Sequence, residues 1–82
     1  MSHYNIMTIL ISHRSDSAKL VQKTLTKYGC NIKVRIGLHE TSEVCAEDGL
    51  VVLQLTGEPD EIEALQKELN ALDGIKTDLI SY

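Results

Sequence analysis

Two stretches of this 82-residue chain repeat one pattern. At an offset of 44, Ser12 falls on Thr56, Asp16 on Asp60, and Val21-Gln22-Lys23 on Leu65-Gln66-Lys67. Leu25 falls on Leu69 and Tyr28 on Leu72; after a one-residue slip, Asn31-Ile32-Lys33 lies on Gly74-Ile75-Lys76. Each copy runs apolar segment, polar turn, amphipathic segment, tight turn, apolar segment, which reads as strand–helix–strand. Two such units interleave into one antiparallel sheet with both helices on one face, the split βαβ arrangement. The expectation is a single α+β domain, βαββαβ, with strand order 4-1-3-2.

The local signals agree with that ferredoxin-like plan. Asn5 to Ile11 forms the first strand, and Ser12 to Ser17 a polar turn in which Ser15 or Asp16 can cap the first helix. Ala18, Val21, Leu25 and Tyr28 recur at three- and four-residue spacing as one buried stripe, and Gly29 suits a left-handed helix end. In the second strand Ile32, Val34, Ile36 and Leu38 alternate with Lys33, Arg35, Gly37 and His39. This places the apolar set towards the helices and Lys33 and Arg35 on the open face. An acidic connection from Glu40 to Gly49 precedes a third strand, Leu50 to Thr56. Pro59 suits the first turn of a second helix, whose stripe is Ile62, Leu65, Leu69 and Leu72. Asp73-Gly74 turns into a last strand, Ile75 to Ile80.

Composition narrows the function classes. A net charge of -4 argues against general affinity for nucleic acid phosphates. The expected central strands carry no aromatic on which an RNA base could stack. No apolar run approaches the roughly 20 residues needed to span a bilayer, so no membrane partner is expected. Met1-Ser2-His3-Tyr4-Asn5 lacks the features of a signal peptide, and two cysteines, Cys30 and Cys45, fit a reducing compartment. The expected location is cytoplasmic. No catalytic triad or nucleophile–base pair is visible, so no enzyme activity and no cofactor are expected.

Strands 1 and 3 break the alternation that a sheet with one open face requires. Ile6, Met7, Ile9, Leu10 and Ile11 are apolar on both faces, as are Leu50, Val51, Val52 and Leu53. The open face should therefore carry an apolar strip around Ile6, Leu10, Leu50 and Val52. Such a patch marks an interface, and a homo-oligomer, dimer or tetramer, is expected.

Two constellations could bind small ligands. Amides at the start of the first helix, with the Arg14 guanidinium and nearby hydroxyls, suit a carboxylate or phosphate. That makes Ser12, His13, Arg14 and Ser15 the candidate site for a small anionic effector. His39 and Cys45, spaced H-x5-C beside Glu40, Glu43 and Glu47, are candidate metal ligands for a sensor of nickel, zinc or iron. The bland alternatives are a capped helix start and a solvated acidic loop. A third reading is an adaptor that recruits a protein through its sheet face or an edge strand.

The segments Ile6-Met7-Thr8-Ile9-Leu10-Ile11, His13-Arg14 and Ile32-Lys33-Val34-Arg35-Ile36-Gly37 resemble the small ACT-like iron-only hydrogenase system regulators. So does the closing pattern Gly57-Glu58-Pro59-Asp60, Leu65, Leu69 and Gly74-Ile75-Lys76. The resemblance covers nearly the whole chain and implies a stand-alone regulatory domain without a DNA-binding part. More distantly, the chain is similar to the C-terminal metal-sensing domain of the nickel-responsive regulator. Its H-x-H-x5-C motif carries onto His39 and Cys45, while the other two ligand positions fall on Gly37 and near Thr26. With only half of that ligand set present, no tightly held nickel is expected.

Overall fold

The computed structural model describes residues 4–12, 17–38 and 48–82. Strand β1 is Asn5–Ser12, helix α1 Ala18–Lys27, strand β2 Ile32–Leu38, and strand β3 Asp48–Leu55; helix α2, Pro59–Asn70, and strand β4, Ile75–Ser81, follow. A tight helical turn, Gly29–Asn31, joins α1 to β2. The strands lie in the order β2-β3-β1-β4, and every neighbouring pair is antiparallel. This is the expected order 4-1-3-2 read from the other edge.

The core lies between the sheet and the two helices. Met7 and Ile9 of β1, Leu53 of β3, Val21 of α1 and Leu65 and Leu69 of α2 have no exposed surface. On α2, buried Ile62, Leu65 and Leu69 follow the three- and four-residue spacing expected for one stripe. On α1, Val21 and Leu25 are buried and Tyr28 is half-buried, whereas Ala18 is exposed. The one buried polar residue of β4, Thr77, is fully served: its hydroxyl donates to Asn70 Oδ1 at 2.8 Å and accepts from Gln66 Nε2 at 3.2 Å. Among the described residues, no helix is long and apolar enough to cross a membrane.

Three local readings change. Helix α1 starts at Ala18, so the residue before it is Ser17, whose carbonyl accepts the Val21 N–H at 2.8 Å. Ser15 and Asp16 lie outside the described residues. Gly29 does not take up the left-handed conformation; Gly57 and Gly74 do, at φ 109° and 74°. The chain leaves α1 through the tight turn Gly29–Asn31, which uses ordinary negative φ angles, so glycine is not demanded there.

The third change concerns β2. Its register against β3 shifts between Ile32 and Val34. A bulge of this kind inserts one residue and flips every side chain beyond it. Ile32 still packs on the core, but Val34 and Ile36 turn out to the open face, 42% and 50% exposed. Arg35, opposite fully buried Leu53, points to the helix side instead, where its guanidinium donates to Gln22 Oε1 of α1.

The helices are tied at one end by a charged cluster. Tyr28 donates its hydroxyl to the Glu68 carboxylate, and Lys27 Nζ donates to both Glu68 oxygens at 3.0 and 3.2 Å. The Tyr28 hydrogen bond first, then Lys27, hold the Glu68 carboxyl below the usual carboxylate range. A group with a lowered folded-state pKa contributes stability above its unfolded value and loses it as pH falls through the folded one. Glu68→Gln should therefore be less stable than wild type at neutral pH, with the gap closing by about pH 3. Urea unfolding at the two pH values checks this; a gap of the same size at both would refute it.

Candidate interaction surface

Residues directly opposite one another in an antiparallel sheet share a face. Buried Met7 and Ile9 mark the helix side of β1, so Ile6, Thr8 and Leu10 lie on the open side. The register then carries this face across the sheet. Ile6 sits between Gln54 and Ile80, Thr8 between Val52 and Asp78, and Leu10 between Leu50 and Lys76. Ile36 extends the Val52 row to the β2 edge, and Val34 the Gln54 row.

All four sequence-derived candidates Ile6, Leu10, Leu50 and Val52 thus stand on the open face. Leu10 is 41% exposed; the other three are half-buried by their neighbours. The apolar surface is wider than the expected strip, because Val34, Ile36 and Ile80 join it. Ile80 could have been found from parity alone: it is an odd number of positions from buried Ile75, so both cannot face the core. Val34 and Ile36 could not, since the bulge that turns them out leaves no mark in the alternation.

The aromatic residues are also better placed for contact than expected. Tyr4 and Tyr82 exchange backbone hydrogen bonds of 2.8 and 3.3 Å, extending the β1–β4 ladder by one pair. That pair continues the Ile6–Ile80 parity onto the open face, and both residues are exposed. Six of the seven large apolar side chains that remain exposed among the described residues, all but Leu20, lie on this one face. Scattered exposed apolar residues need no explanation, but a contiguous face of them does.

With this geometry established, similarity to known proteins becomes informative. No family profile and no curated protein matches the sequence. Solved structures do match. The uncharacterized protein TM1266 from Thermotoga maritima has a TM-score of 0.83 at 22% identity, covering 99% of this chain and 98% of that one. The ACT domain from GTP pyrophosphokinase of Chlorobium tepidum has a TM-score of 0.72 in its crystal structure, at 11% identity and with 98% and 100% coverage. Its solution structure gives 0.69 at 12% identity, with 99% and 89% coverage. The fold is ACT-like. At these identities the likeness concerns the fold, and function must be argued from this chain's own surfaces.

Of the ligand-site candidates in this ACT-like domain, Ser12 closes β1, where its N–H donates to the Gly74 carbonyl at 3.0 Å. His13, Arg14 and Ser15 lie outside the described residues, as do His39 and Cys45. Gly37, the position of a missing metal ligand in the distant resemblance, is exposed in β2 opposite Val51.

Proposed function

We propose that this chain is a non-enzymatic regulatory module that assembles with itself through the open face of its sheet. The observation that supports this is the run of apolar side chains across that face, from Ile36 through Val52 and Ile6 to Ile80, with Leu10 and Leu50 beside it. A small domain gains little by leaving such surface in water, and pairing two copies removes it. The face is also self-complementary in charge. Lys76 and Asp78 sit two residues apart on β4, so a two-fold axis can set Lys76 of one protomer against Asp78 of its partner.

In this reading the module senses a small anionic effector at the turn between β1 and α1, gripped by Arg14 and hydroxyls of Ser12 and Ser15. Its setting is the cytoplasm, and regulation of an iron-only hydrogenase system is the process suggested by sequence resemblance. The assembly is tested by sedimentation velocity on the wild-type protein, where a monomer at high micromolar concentration would remove the argument.

The effector site has its own test. A panel of metabolite carboxylates and phosphates should contain one that raises the wild-type melting temperature. A ligand at 100 times its dissociation constant adds about 2.7 kcal/mol to the native state. Arg14→Ala should abolish that shift while leaving the oligomeric state intact; unchanged affinity would return the turn to a helix start and nothing more.

A further inference from the structure

We infer that the corner where β3 turns into α2 forms a second ligand site, selective for a compact organic ammonium ion with an apolar body. A cleft of about 580 Å³ opens there on the helix-covered side, between the start of α2 and the paired ends of β1 and β4. That volume lies in the range of small-molecule pockets, roughly 300–1,000 Å³. Pro59, buried Ile62 and half-buried Leu79 give it an apolar floor. Asn5 and Ser81, hydrogen-bonded to each other at 2.7 Å, supply polar atoms at the strand ends.

Charge decides the ligand class. Glu58 and Glu63 line the cleft from the two sides of the first turn of α2, and no described residue lining it is basic. Lys67 stands one turn further along α2 and does not reach the lining. A helix start ordinarily attracts anions. Here that capacity is already used internally: Glu61 accepts the Glu58 N–H at 3.0 Å, and Asp60 adds another carboxylate to the same turn. An incoming anion would meet the two lining acids, Glu58 and Glu63, and no lining cation. An ammonium group meets Glu63 and Glu58, whose carboxylate also accepts the Glu61 N–H, while its hydrocarbon portion covers Ile62 and Leu79.

This site does not depend on the anionic-effector reading. Strands β1 and β3 are antiparallel, so the end of β1 and the start of α2 lie at opposite ends of the sheet, and the two proposed ligands carry opposite charge. The experiment uses phenethylamine and butylamine, with phenylacetate and butyrate as charge-reversed controls, followed by amide chemical shifts of the full chain. The amines should give saturable shifts clustered at Gly57, Glu63 and Leu79, and the carboxylates none there. Glu63→Lys, on an exposed helix position, should weaken amine binding about tenfold. Glu63→Gln should produce a smaller loss, and both variants should keep the wild-type pattern elsewhere. Amines and carboxylates moving the same resonances equally would overturn the inference, as would no saturable shift or binding unaffected by Glu63→Lys.

Discussion

Replacing Gly57 with alanine is expected to destabilise the domain by about 3 kcal/mol, combining strain at an unfavourable backbone angle with a steric collision. Gly57 has φ 109°, which side-chain-bearing residues rarely adopt. A Cβ there would also lie 2.4 Å from Asn31 Nδ2. Asn31 cannot easily give way. It is buried, its side chain donates to the Thr56 carbonyl at 3.1 Å, and its own carbonyl accepts the Thr56 N–H at 2.8 Å. The Glu58 N–H first, then the Asn31 side chain, hold the Glu61 carboxyl below the usual range. This node ties the end of the first repeat to the start of the second helix. For a domain of this size the loss corresponds to a fall in melting temperature on the order of 15 °C. Gly29→Ala is the control, since a Cβ there meets nothing within 4 Å and φ is not positive; it should be neutral or slightly stabilising. Thermal unfolding of both variants checks the pair, and a Gly57→Ala protein as stable as wild type would discredit the node.

How much of this was legible beforehand follows from what kind of information each feature needs. The repeat sets strand–helix–strand twice, and helical stripes such as Ile62, Leu65 and Leu69 are visible because burial imposes a period on the sequence. The apolar character of β1 and β3 on both faces likewise pointed to Ile6, Leu10, Leu50 and Val52. The bulge beside Lys33 was not readable, because Ile32, Val34 and Ile36 alternate perfectly and only the pairing with β3 shows that the register slips. The start of α1 and the conformation of Gly29 were misplaced for a related reason. Ser15, Asp16 and Ser17 all suit a helix start, and the choice depends on where the strand before them ends. Gly57 and Gly29 look alike in sequence, yet only Gly57 faces a buried asparagine, Asn31, held by Thr56. The cleft at the start of α2 was invisible because its lining comes from three segments far apart in the chain.

The same face that alternation exposed supports the second large effect. On the proposed assembly, Leu10→Glu and Ile36→Glu should each give a folded monomer. Both positions are substantially exposed in the single chain, 41% and 50%, so a carboxylate there costs the isolated fold little. Leu10 even has Lys76 directly opposite on β4, a favourable cross-strand neighbour for an acid. Inside a closed interface the balance reverses, because an unpaired carboxylate removed from water costs several kcal/mol. Placed once on each protomer of a two-fold pair, the charge is buried twice. A penalty of about 3 kcal/mol alone raises the dissociation constant more than 100-fold. Lys76→Glu offers a gentler probe of the proposed charge pairing with Asp78, and combining it with Asp78→Lys should restore part of the lost affinity. Sedimentation velocity across a dilution series, with circular dichroism to confirm folding, measures each of these. Variants that stay folded and keep the wild-type mass would show that the open face is not where copies meet, and its apolar side chains would then have to serve a different protein partner.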